Sequence, residues 1–131
     1  MLRYLELKSG YDEDGPAWIA RVVASRSGRA IYFAGRMLRA IGGRGVTGNH
    51  IDPVSGEEFW VSGVKKDGRD RRGGGGGLVW IEASAVDEYL RLTAATRLPR
   101  HLRMIPDLAR PDPDRFVVAE NGKALDDEPS S

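Results

Sequence analysis

The chain reads as mainly β (α+β): a strongly bent antiparallel sheet or small β-barrel of about five to six strands, closed by one C-terminal amphipathic helix. Three observations point there. Short runs of β-branched and aromatic residues recur between glycine-bearing turns. Only one stretch, about residues 85–96, carries apolar residues at the 3.6-residue helical period. Strand and helix patterns do not alternate, which argues against a parallel doubly wound sheet.

The elements follow in order. Leu2–Lys8 sets Leu2, Tyr4, Leu5 and Leu7 among charged neighbours and reads as a strand. Asp12, Glu13 and Asp14 ahead of Gly15-Pro16 mark a loop. Three adjacent carboxylates without a complete ligand set read as solvated rather than as a cation site. Ala17–Ser25, with Trp18, Ile19, Val22 and Val23, and Arg29–Ala34, with Ile31, Tyr32 and Phe33, make a hairpin across Ser27-Gly28. Gly35 marks a bulge or tight bend before Arg36–Ile41, which reads as a strand or a short helical turn, and Gly42–Gly56 is turn-rich. Glu57–Lys65 is a strand holding Phe59, Trp60, Val61 and Val64. Lys65–Gly77 cannot bury apolar surface and is expected to be a mobile loop. Leu78–Glu82 is a short strand. Ser84 is the expected helix N-cap, with Asp87 at the capping-box position, Val86, Leu90 and Ala94 on the apolar face, and Pro99 downstream. The domain is thus placed at 1–98. Residues 99–131 read as a Pro-rich, acidic extension, partly disordered, with one short strand at Phe116–Ala119. Trp18, Ile31, Phe33, Phe59, Val61 and Ile81 are the expected core, with Leu90 packed on it.

Composition narrows the chemistry. The chain has 131 residues, 40% of them hydrophobic and 30% charged, which suits one globular domain. With no cysteine there is no disulfide framework, thiolate nucleophile or Cys-ligated zinc. Charged residues interrupt the N-terminal apolar run and no stretch approaches 18 apolar residues, so a cytoplasmic protein without a membrane span is expected. The net charge of +1 hides an asymmetry: residues 1–110 hold 18 basic and 13 acidic side chains, residues 111–131 hold 2 and 6. The segment 21–72 is the richest, 11 against 5. This pattern nominates Arg36, Arg39, Lys65, Lys66, Arg69, Arg71, Arg72 and the aromatic Trp60 as a binding surface for nucleic acid or an acidic protein. Scattered along strands, such charges more often form a solvated face.

Gly43-Arg44-Gly45-Val46-Thr47-Gly48 matches G-x-G-x-x-G, but Asn49, Asp52 and Pro53 follow where a dinucleotide site needs a helix. No lysine follows Gly73–Gly77, so a phosphate loop is excluded as well, and no cofactor is expected. His50 as general base with Asp52 as its orienting carboxylate gives an alternative reading, a small hydrolase or nuclease. No G-x-S-x-G and no paired histidines support it, and no metal is expected.

The phrases Leu5-Glu6-Leu7-Lys8-Ser9-Gly10-Tyr11, Gly15-Pro16-Ala17-Trp18-Ile19, Ser27-Gly28-Arg29 and Gly56-Glu57-Glu58-Phe59-Trp60-Val61-Ser62-Gly63-Val64-Lys65-Lys66 resemble a family of small bacterial proteins without an assigned activity. The resemblance covers roughly residues 4–83 and extends to Arg115-Phe116-Val117. Some members carry the label 1-deoxy-D-xylulose-5-phosphate synthase. That reaction needs thiamine diphosphate, a magnesium site and a large two-domain cleft, and this chain has neither a G-D-G…N motif nor the mass. The family supplies no catalytic residues to carry over, and Arg71–Gly77 departs from its pattern of His and Trp before fewer glycines. The leading expectation is a small binding or interaction protein without intrinsic catalysis, its ligand a protein in preference to a nucleic acid.

Overall fold

A computed structural model describes residues 1–11, 15–42, 48–70 and 78–110. The chain is mainly β. Its strands are β1 (Leu2–Leu7), β2 (Ala17–Arg21), β3 (Val23–Ala24), β4 (Ala30–Phe33), β5 (Arg36–Ala40), β6 (His50–Ile51), β7 (Glu58–Gly63), β8 (Val79–Glu82) and β9 (Leu102–Ile105). One 3-10 turn, Ala83–Ala85, leads into α1, Val86–Thr93, the single α-helix among the described residues. All nine strands join one sheet in the order β3-β4-β5-β6-β7-β1-β2-β8-β9.

That order explains the curl. β2 and β3 are one stretch of chain broken only at Val22, yet β3 ends one side of the sheet while β2 lies near the other. The sheet therefore bends round into a half-barrel. The break is held where the Val22 N–H donates to the Met1 carbonyl (2.8 Å) and the Met1 ammonium donates to the Val22 carbonyl (3.0 Å).

Turn chemistry sets the antiparallel half. Ser25 and Ala30 exchange bonds across the β3–β4 turn, with Gly28 at φ +78°. Ala34 and Gly35 both have positive φ, 51° and 78°, which is the two-residue turn whose twist matches a hairpin and which joins β4 to β5. Gly48 lies so close to β7 that an added Cβ would meet the Phe59 carbonyl oxygen at 2.7 Å.

Strand periodicity gives the sheet two buried faces. Tyr4, Ile19 and Ile81 form one cross-strand row facing α1, continued at the edge by Met104. Leu5, Ala20, Phe33, Leu38, Phe59 and Val61 fill the hollow of the curl. Of the expected core, Phe33, Phe59, Val61 and Ile81 are buried, and Leu90 packs against the α1-side cluster. Trp18 and Ile31 are half-buried instead, packed against the inner cluster. Trp18 meets Phe33 and Phe59 with ring centroids 5.6 and 6.5 Å away.

Several expectations need correction. Among the described residues the sheet has nine strands, not five or six: the Ala17–Ser25 run is broken at Val22 into β2 and β3, β6 is only two residues long, and β9 is hidden between Pro99 and Pro106. It is mixed, not antiparallel: β8 runs parallel to β2, and β9 parallel to β8. β8, α1 and β9 make one βαβ crossover, and β9 lies inside the stretch assigned to the extension. The helix is eight residues, shorter than 85–96, because Ala94 turns to left-handed φ 56° and ends it. Ser84 does not cap it. The N-cap position is Ala85, and the Ser84 N–H goes to Asp107 Oδ1 (2.8 Å). Asp12–Asp14, Arg44, Gly73–Gly77 and the Phe116–Ala119 strand lie outside the described residues. Among the described residues no helix is long and apolar enough to cross a membrane.

Candidate functional site

The nominated basic residues fall in two places. Arg36 and Arg39 are on β5, and Arg39 shares a level with Ile51 and Glu58 through the β5–β6–β7 ladder. Lys65, Lys66 and Arg69 follow the far end of β7, roughly 20 Å further along at ~3.3 Å per residue. Arg36 is also engaged. One guanidinium nitrogen donates to Asp52 Oδ2 and to Glu57 Oε1, both at 2.9 Å, and the group sits 5.4 Å from the Phe59 ring centroid. Trp60 is half-buried against the α1-side core, its Cα opposite Glu6. Arg71 and Arg72 lie outside the described residues.

The His50–Asp52 pair is not assembled as a catalytic dyad. His50 Nδ1 meets Asn49 Oδ1 at 3.0 Å, and that oxygen also accepts the Val61 N–H. With Asn49 Oδ1 accepting, the His50 proton is on Nδ1, and burial pushes the imidazole below its ordinary value of 6.5. Asp52 is buried and faces elsewhere. Its Oδ1 accepts the Val54 N–H at 2.9 Å, closing the turn into β7, and its Oδ2 takes Arg36. Among the described residues no hydrogen bond joins His50 to Asp52.

Three buried acids carry structure the sequence reading missed. Glu6 accepts Tyr4 Oη–H at 2.7 Å from two residues earlier on β1 and the Lys8 ammonium at 2.9 Å from just past its end. Glu82 accepts the Arg21 N–H (3.0 Å) and the Leu108 N–H (2.8 Å), strapping the chain after β9 to β2. Asp70 is 6% exposed; its Oδ1 accepts the Lys65 N–H at 2.7 Å, while Oδ2 has no partner among the described residues. The hydroxyl of Tyr89, a fully buried residue, also has none. Burial raises the Asp70 carboxyl above the ordinary carboxylate range, against the pull of the Lys65 amide. Burial, with Asp70 and Asp67 adding, pushes the Tyr89 phenol up to about 12. Among the described residues no three His, Asp or Glu side chains are grouped to hold a metal ion.

Among the described residues the sheet also has an open margin. β9 is its last strand, and Met104 there is 62% exposed. The signal for it in the sequence is Leu102-Arg103-Met104-Ile105, short and wedged between Pro99 and Pro106. Compared with family models, with curated proteins and with solved structures, the chain matches none.

Proposed function

We propose that this protein is a small cytoplasmic binding module, its curled sheet acting as a compact barrel-like scaffold, and that it engages a protein partner without catalysing a reaction. The observation that supports the reading is the commitment of Asp52: both carboxylate oxygens serve the Arg36 ion pair and the turn before β7, so among the described residues Asp52 is not the partner of His50. The hydrolase reading draws on that pair, with the carboxylate holding the imidazole in place. The exposed chemistry is of the kind partners use, arginines beside apolar side chains such as Met104. A nucleic-acid ligand is the weaker reading, since the nominated cations stand at two separated positions and Arg36 is already paired.

Selection of the full chain against a displayed random-peptide library tests this. Saturable ligands are expected, together with no esterase or nuclease activity above the His50→Ala variant. Turnover that His50→Ala abolishes would replace the binding module with the hydrolase. Tight single-stranded DNA binding at low salt, weakening steeply as salt rises, would replace the protein partner with nucleic acid.

A further inference from the structure

The outer edge of β9 carries an inference that rests on the binding-module reading and names its surface. In a parallel ladder the backbone groups of successive residues point alternately to the two sides. The Val79 N–H donates to the His101 carbonyl at 2.8 Å, so His101, Arg103 and Ile105 turn toward β8. Leu102 and Met104 turn outward. The Leu102 N–H is used by the Pro99 carbonyl (3.1 Å), which leaves the Leu102 carbonyl and both backbone groups of Met104 on the open side. Pro106 has no N–H, and the edge ends there.

The other end of the sheet offers nothing comparable. β3 is two residues long and continues directly from β2. Side chains make the β9 edge selective. Leu102 and Met104 lie on the α1 side, Met104 in the row of Ile81 and Ile19. Arg103 lies on the opposite face, in the row of Trp80 and Trp18, and is exposed. Residues 97–110 hold Arg97, Arg100, Arg103 and Arg110 against a single acid, Asp107, which is bonded to the Ser84 N–H. A second copy of β9 would set Arg103 near its own kind, which opposes self-pairing.

We propose that the β9 edge docks an extended, acidic segment of a partner protein, which adds to the sheet as a further strand. Backbone bonds go to Leu102 and Met104, one acidic side chain meets Arg103, and its apolar neighbour in sequence lies beside Met104. Strand addition of this kind takes affinity from the main chain and specificity from alternate side chains.

The probe is a fluorescent decapeptide of alternating glutamate and valine, titrated against the full chain by anisotropy, with amide exchange read at Met104. Saturable binding that protects the Met104 amide is expected. Met104→Pro removes the outward N–H while leaving the β8 ladder its donors, and Arg103→Glu reverses the charge. Each should weaken binding about tenfold or more, worth about 1.4 kcal/mol. Where Met104→Pro fails to fold, Arg103→Glu and a peptide N-methylated on alternate residues carry the test. Binding untouched by all of these overturns the edge assignment and leaves the binding module standing. No binding to the wild type overturns the acidic strand, and an empty library selection besides would overturn the binding module too. A Met104 amide already protected in the free chain would mean that the chain or a second copy covers the edge, and overturns the proposal.

Discussion

The antiparallel half of the sheet, β3 to β7 with β1, and the parallel arm, β8-α1-β9, are held by different means. From β3 to β7 the first is built from short connections, among them the Ala34-Gly35 turn and the Asp52 turn, β1 alone joining it from far off in sequence, and it encloses an apolar cluster around Phe59 and Leu38. The second is built from contacts distant in sequence: β2 against β8, Tyr89 against the outer face of β1 and β2, and Glu82 bonded across to Arg21 and Leu108. Local turns fix register cheaply, because little loop entropy is lost. The arm depends on buried polar groups, whose contribution reverses sign when one partner is lost. The two halves should therefore respond differently to substitution.

The largest effect belongs to the hollow of the curl. Phe59→Ala should cost about 3–5 kcal/mol in urea unfolding, since it empties the site where Trp18 and the Arg36 guanidinium meet the ring. Protection in amide exchange should fall throughout the molecule. A loss confined to β4–β7 would mean that the arm is a separate cooperative unit.

Glu82→Gln comes next. The neutral amide keeps one acceptor but turns a donor toward either the Arg21 or the Leu108 N–H, at a cost of about 1–3 kcal/mol. Here the exchange rates of residues 102–108 should rise ahead of those in β4–β7. Equal loss in both regions would erase the distinction between the halves.

The same division governed what the sequence made readable. Leu2–Leu7, Ala17–Arg21, Ala30–Phe33, Arg36–Ala40, Glu58–Gly63 and Val79–Glu82 all fall within the runs that composition marks, because period-2 burial and glycine turns are local signals. β6 consists of His50 and Ile51 alone, which no pattern of two residues can announce. β9 was hidden by Pro99 and Pro106, which read as breakers but here bound a strand in an edge position. The site was less legible. Spacing suggested that Asp52 serves His50, whereas its carboxylate closes its own turn, the commonest local use of an aspartate there. Glu6, Asp70 and Glu82 carry no signal of their burial, because nothing local shows which acids the folded chain will bury.

Asp70→Asn sharpens the comparison from the opposite direction, as a substitution in the arm's flank that should stabilise. The folded chain holds the Asp70 proton more tightly than the unfolded chain does. Its contribution is therefore full below the ordinary value of 3.8 and is lost as pH rises through the folded value. Asparagine keeps an oxygen for the Lys65 N–H and removes the buried charge. Thermal unfolding near pH 7 should show a gain of at most about 1 kcal/mol. A loss of stability would mean that Oδ2 has a partner the substitution removes.

The smallest effect belongs to His50, and its sign is opposite to that of Asp70. Burial lowers the imidazole value, so the unfolded chain takes up a proton more readily than the folded one. Stability is full above 6.5 and declines as pH falls from there through the folded value. His50→Gln supplies a side-chain N–H toward Asn49 Oδ1 and cannot be protonated. At pH 7.5 the variant should match the parent within about 0.5 kcal/mol. Its unfolding midpoint should then fall less than the parent's between pH 7 and 5. The comparison turns on where that decline is seen: β6 lies in the antiparallel half, so amide exchange at β5–β7 should report the acid sensitivity while β8 and β9 do not. A decline that survives in the variant would remove His50 as its source.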